Sequence, residues 1–319
     1  DMVTRIATAL RFQPLFFYGE AVDLIPPEAV SFRATSSMSS ATRNVGLGVG
    51  DIVASVIEAD LQSRFNLPKV DVPDLSNHDP EDAAALLRVR WKLGLEPIQN
   101  MVHLLESKGV SVYWLAHDSP SLDAVSWWRE KKPFVLLNSH KQAGDRARFD
   151  AAHELAHLVL HRRAGTLWGR DVEKEADKFA AAFLLPADQF RKECPDQLNF
   201  HHLYQLKLRW KVSVSAMVMR AYDLGIFSES QRRQAFQRMN ATGTLIQEKA
   251  AFQREQSKLH PMVFEALAKK NISPADYALQ LHLDVDDIHE FMPTSKLYMP
   301  TLTDRKIINF TQWRRANVG

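Results

Sequence analysis

Between Ala151 and Leu160 the chain reads Ala-Ala-His-Glu-Leu-Ala-His-Leu-Val-Leu, and no other stretch restricts the fold so tightly. Apolar residues at helical spacing surround two imidazoles and a carboxylate, so a helix here buries His153, Glu154 and His157. Positions i and i+4 share a helix face, which brings both imidazoles within reach of one ion. Two buried imidazoles beside a buried carboxylate are costly unless they coordinate or pair. Glu154, next to the first imidazole, can address water on such an ion without binding the ion itself. Zinc suits the arrangement because it accepts imidazole and carboxylate in a four-coordinate geometry with one position open. Manganese is the rival ion. The bland alternative is a buried helix whose histidines are merely hydrogen-bonded.

A third ligand is needed. His161 extends the series, but it stands eight residues beyond His153, about 12 Å along a helix axis and too far to share the ion easily. Downstream, Glu173-Lys174-Glu175-Ala176-Asp177 opens a second helix running to Pro186, with Glu173 and Asp177 on one face. One carboxylate can bind the ion while the other orients a ligand imidazole from behind. Glu173 is assigned as the third ligand and Asp177 as the partner of His153. Glu175 is the rival ligand, with a solvated acid on the outer face as its alternative. Glu154 then serves as the catalytic base that takes a proton from water and passes it to a leaving amine. Candidates for stabilising an oxyanion are His140, His201, His202, Tyr204 and Tyr222, with none preferred.

The remaining sequence sets the frame. Its 319 residues suffice for about two domains. Lys+Arg number 40 against 38 Asp+Glu, so no strong global field points to nucleic acid or membrane. No apolar run spans a bilayer, and the single cysteine, Cys194, fits a reducing compartment, so the expected location is cytoplasmic. A short helix over Thr4–Phe17 is expected to stop at Pro14. Residues 23–45 read as loop, and a helix follows over Asp51–Phe65. A Pro-rich connector from Pro68 to Pro80 marks the first boundary, giving an expected division into 1–75, 76–240 and 241–319. Asp79-Pro80-Glu81-Asp82 starts a helix that ends at Gly94, and Ile98–Ser107 is a second, ending at Gly109. Val110–Leu115, Val125–Trp128 and Pro133–Leu137 read as strands, and helix dominates from Asp145.

Other features have two readings each. Gly46-x-Gly48-x-Gly50 does not follow a strand, so it is not read as a phosphate loop. Trp127-Trp128 with strand Pro133–Leu137 is either an edge that accepts an extended peptide or core packing. Val212–Leu224, with Arg209, Lys211 and Arg220, passes for a helix-turn-helix turn, though packing beneath the site is preferred. Beyond residue 240, Ser273-Pro274-Ala275-Asp276 caps a helix, Asp284–Phe291 forms another, and Arg314-Arg315 is a weak basic cluster.

Three blocks together resemble the ImmA/IrrE family of metallopeptidases. They are Arg148-Phe149-Asp150-Ala151-Ala152-His153-Glu154-Leu155-Ala156-His157-Leu158-Val159-Leu160-His161; then Glu173-x-x-Ala176-Asp177-x-Phe179-Ala180 with Leu184-Leu185-Pro186; and Leu206–Ser215 with Arg220–Gly225. Asp150 and Ala156 depart from the pattern, where many relatives carry Thr or Ser and Gly. The resemblance covers roughly residues 80–240 and supports Glu173 over Glu175 as ligand. It implies a predominantly helical α+β fold: a small sheet packed on a zincin-like helical active-site core, with extra helical N- and C-terminal regions. It further implies a zinc endopeptidase that cleaves a helix-turn-helix repressor of the Xre/Cro type, in a stress, phage-defence or mobile-element response. Thr4–Phe12 resembles the last helix of such a DNA-binding domain, so DNA binding is expected only through a domain that the chain as given lacks. The competing expectation is a non-proteolytic regulator, or a toxin–antitoxin component, with a structural metal site. Glu154 speaks against it, because a structural site has no need of a carboxylate beside its ligand.

Overall fold

The computed structural model describes residues 1–298 except 11, 20–23, 27–29, 35–39, 116–121, 140–142, 163–169, 245–247 and 249–251. Helix α1 (Met2–Leu10) is followed by a 3₁₀ turn at Pro14–Tyr18, strand β1 (Val30–Ala34), and helices α2 (Ser40–Ile52) and α3 (Glu58–Arg64) joined by a π turn over Val53–Ile57. Helices α4 (Pro80–Arg90) and α5 (Met101–Ser107) lead into strands β2 (Ser111–Leu115), β3 (Leu122–Arg129) and β4 (Lys132–Asn138). Helices α6 (Gly144–Leu160), α7 (Arg170–Leu184), α8 (Ala187–Glu193), α9 (Phe200–Trp210), α10 (Val214–Asp223) and α11 (Glu229–Ala241) follow. The chain closes with α12 (Leu259–Ala268), α13 (Pro274–Gln280), α14 (Val285–Phe291) and a 3₁₀ turn at Pro293–Tyr298. This is a predominantly helical α+β fold.

The chain forms two compact units, one of residues 20–259 and 290–292, the other of 1–19, 260–289 and 293–319. The expected boundaries at 75 and 240 therefore both lie inside the larger unit. Within it the sheet runs β1-β3-β4-β2, with β3 antiparallel to both neighbours and β2 parallel to β4. Side chains alternate across the pleat. Val112, Trp114, Ala124, Val135 and Leu137 join the main core around α6, which lies against β1, β3 and β4. On the opposite face Trp127 stacks on Phe134 at 5.0 Å, and Tyr113 donates its hydroxyl to Glu58 of α3 at 2.7 Å. The sheet is thus buried on both faces between α6 and the α2–α3 pair.

Residues 23–45 are not simply a loop, because they contain β1 and the first turns of α2. Three glycines lower helix propensity over 46–50 and hide α2 from a propensity reading. At Gly50 the use is steric: a Cβ there would lie 3.1 Å from Ile25 and 3.3 Å from Trp127, so glycine lets the helix close on β3. The Gly46-x-Gly48-x-Gly50 run is therefore helical, in keeping with its not being a phosphate loop. The start of α4 forms as expected, with Asp79 accepting from the Glu81 N–H at 2.9 Å and Pro80 at the first helical position. The 68–80 connector is pinned to α6 by a bond from the Leu75 N–H to the Val159 carbonyl at 2.7 Å.

In the smaller unit, Phe264 meets Tyr277 edge-on at 6.1 Å. Gln13 donates to the Leu283 carbonyl at 3.0 Å. Ser273 and Asp276 form a reciprocal capping box at the start of α13. Arg314-Arg315 lies outside the described residues. Among the described residues no helix is long and apolar enough to cross a membrane.

Candidate metal centre

Helix α6 is buried almost all round; of its 17 residues only Arg146 and Phe149 retain appreciable exposure. A helix buried in this way is a rigid platform. The Arg148 guanidinium secures its first half by donating to the Ile98 and Gln99 carbonyls at 2.6 and 3.0 Å and pairing with Glu255. At the other end the side chains of His153 and His157 project from one face, as the i, i+4 spacing requires.

These imidazoles converge. Their Nε2 atoms stand 3.1 Å apart, and the Glu173 carboxylate from α7 lies 3.2 Å from His153 Nε2 and 3.6 Å from His157 Nε2. Behind the pair, His153 Nδ1 sits 2.9 Å from Asp177 Oδ1. An ionised carboxylate only accepts, so Nδ1 carries the hydrogen and Nε2 presents its lone pair to the cluster. Lone pairs and a carboxylate gathered this closely repel one another unless a cation lies between them. Four-coordinate zinc, with ligand bonds of ~2.0–2.1 Å, requires ligand atoms about 3.4 Å apart. The observed separations bracket that value, and the donor set of two imidazoles and one carboxylate is one that zinc accepts. His153, His157 and Glu173 are the group among the described residues whose side chains could hold such an ion. His153 and His157 are buried, whereas the Glu173 and Asp177 carboxylates are partly exposed. Access from solvent is therefore on the α7 side.

Glu154 is completely buried and reaches the sheet, where Ser126 Oγ of β3 donates to its Oε2 at 2.5 Å. The Glu154 carboxylate is thereby anchored from the strand on which α6 packs. The sequence offers no local sign of this contact, because Ser126 stands 28 residues away on an ordinary strand. Nor does the sequence pair His161, at the end of α6, with Glu175 on α7. His161 stays outside the convergent group, as its distance along the helix demands. Its Nδ1 instead lies 2.9 Å from His157 Nδ1, and its Nε2 lies 3.1 Å from Glu175 Oε2. Glu175 is thus no freely solvated acid. Burial lowers the His161 pKa, an effect partly offset by Glu175.

Other candidates that the structure describes make contacts of their own. His140 lies outside the described residues. His201 contacts Gln205, Tyr204 packs against the core, and Tyr222 carries the Arg232 guanidinium over its ring. Trp127 and Trp128 serve packing, the latter donating to the Leu158 carbonyl at 3.1 Å. The β3–β4 pair offers no free edge, because β1 and β2 flank it. Arg220 is buried in a two-bond clamp on Glu81 at 2.6 and 2.5 Å, and Arg209 pairs with Glu193 and Glu96. That is the packing reading of 212–224, not the phosphate-contact one. Cys194 is buried, which pushes its thiol up to about 12, as befits a bystander.

Residues 105–222 match a peptidase family described as the IrrE N-terminal-like domain. The match covers less than half of the chain but takes in β2–β4, α6, α7 and the whole convergent cluster. No curated protein matches the chain.

Proposed function

From the premise that residues 105–222 form an ImmA/IrrE-type metallopeptidase-like domain, we propose that the protein is a zinc-dependent endopeptidase. The observation that carries this reading is the approach of Glu173 to both imidazoles, 3.2 and 3.6 Å away, with Glu154 adjacent on the same helix. His153, His157 and Glu173 would hold the ion, and zinc bound there would supply Lewis acidity for a carbonyl and lower the pKa of water. Asp177 keeps the His153 ring in the tautomer that leaves Nε2 free for coordination. Glu154 accepts the proton of the attacking water and delivers it to the departing amine. Ser126 holds one oxygen of that carboxylate, which limits its rotation. The roles form one mechanism of peptide hydrolysis.

The substrate we propose is a helix-turn-helix repressor of the Xre/Cro type, cut in the cytoplasm to release a stress, phage-defence or mobile-element response. The family resemblance motivates this choice of substrate, and the single cysteine motivates the compartment. Manganese remains the rival ion. The test mixes zinc-loaded protein with the repressor encoded nearest its gene and reads products by intact mass. One defined cut by the wild type, and none by Glu154→Gln, is the expected result. A Glu154→Gln variant that binds zinc and still produces the biological effect sinks the peptidase reading in favour of a binding regulator.

A further inference from the structure

We infer that His161 and Glu175 are positioning residues for the ligand His157, joined to it in a directed hydrogen-bond chain that fixes which nitrogen it presents to the metal. The inference rests on the metallopeptidase reading and assigns roles to two residues that the proposed mechanism leaves unused.

His157 can offer Nε2 to an ion only if its own hydrogen sits on Nδ1. The atom facing that nitrogen, at 2.9 Å, is Nδ1 of His161. Two ring nitrogens bond only when one donates and the other accepts, so His161 Nδ1 must be bare and its hydrogen must sit on Nε2. That nitrogen faces Glu175 Oε2 at 3.1 Å, an acceptor. The whole chain therefore has one direction: His157 to His161 to Glu175. Reversing any member would set two hydrogens or two lone pairs against each other.

Local structure explains why His161 can turn back. It stands just past the end of α6, and its backbone N–H still bonds the His157 carbonyl at 3.1 Å. That bond holds the residue one turn above His157 with its ring over the ligand ring, centroids 5.0 Å apart. Glu175 comes from α7, the helix that also carries Glu173 and Asp177. The two ligand imidazoles are thus supported differently. His153 leans on a carboxylate directly, while His157 leans on a neutral ring with a carboxylate behind it. Outer partners of this kind fix ring orientation, and their loss typically weakens metal binding by about 10–100-fold.

The test measures zinc affinity of the full chain by competition with a chromophoric chelator, alongside the visible spectrum of the cobalt-loaded protein. His161→Leu is expected to weaken zinc binding about tenfold or more and to alter the cobalt spectrum. His161→Asn keeps an acceptor near the position of Nδ1 and should restore most of the loss. Glu175→Leu should weaken binding by a smaller factor, whereas Glu175→Gln, whose amide oxygen still accepts, should stay near wild type. Glu175 is half exposed, so its variants test the chain even if His161→Leu does not fold. Unchanged affinity and an unchanged cobalt spectrum in both leucine variants overturn the inference and leave the peptidase reading standing. A wild-type protein that takes up no zinc removes that reading, and this inference with it.

Discussion

At the residue scale, the site depends on contacts that orient side chains already in place. Ser126 is the sharpest case, since its hydroxyl is buried against Glu154 at 2.5 Å. A hydrogen bond to a charged group contributes about 1.5–3 kcal/mol, so Ser126→Ala should lower kcat about tenfold or more. KM should change little, which steady-state kinetics on the proposed substrate would check. A second prediction concerns His260, whose burial lowers its pKa from the usual 6.5 to about 3. As pH falls below 6.5 the unfolded chain takes up a proton that the folded chain refuses. The stability associated with a neutral His260 is therefore present above about pH 6.5 and is lost progressively as pH falls toward 3, by about 1.4 kcal/mol per pH unit. Denaturant titrations at pH 7, 5.5 and 4.5 should show that slope in wild type and a shallower one in His260→Phe. His153, Glu154 and His157 were legible at this scale because one helix carries all three. Ser126 and Glu175 were not, because each meets its partner from another element.

At the element scale, α6 is held at both ends. Its N-terminal residue Gly144 donates its N–H to the Phe252 carbonyl at 3.0 Å. A Cβ there would stand 2.5 Å from the Gln253 oxygen and 2.7 Å from that of Phe252, so only glycine allows the 252–257 segment to lie so close. Glu255 continues the same attachment by accepting from the Met101 N–H at the start of α5, at 2.7 Å, and by pairing with Arg148. Gly144→Ala must displace this segment, and overpacking of this kind costs about 1–3 kcal/mol. A lower Tm and faster proteolytic cleavage between 249 and 257 are the expected outcomes, read by calorimetry and by mapping the fragments. Helices α4 and α13 could be placed from their caps, since Asp79 and Ser273 satisfy orphan backbone groups locally. Helix α2 could not, because its glycines lower local propensity and Gly50 answers to Trp127 and Ile25 rather than to its own neighbours.

At the scale of the whole molecule, metal and folding are linked. An ion bound only by the folded chain stabilises it by about 2.7 kcal/mol when its free concentration is 100 times Kd. Zinc should therefore raise the Tm of the chelator-treated protein by several degrees, with the rise abolished in His153→Ala and much reduced in Glu173→Ala. Differential scanning calorimetry with and without zinc checks this without reference to any substrate. The shift should appear in the unit spanning residues 20–259, where α6 and α7 sit, and not in the unit of 1–19, 260–289 and 293–319. That division was not legible from the linkers. Pro68–Pro80 has the composition of a boundary, yet Leu75 within it is bonded to α6.

The sequence by itself determined the motif helix, its burial, the face carrying two imidazoles, and the acidic helix that follows. These follow from helical periodicity and from the cost of burying polar groups, both local properties. Tertiary structure alone decided that Glu175 meets His161, that Ser126 anchors Glu154, and that β1 covers the edge of β3. Each depends on how two elements distant along the chain are set against each other. Spacing along one chain segment carries no information about that placement.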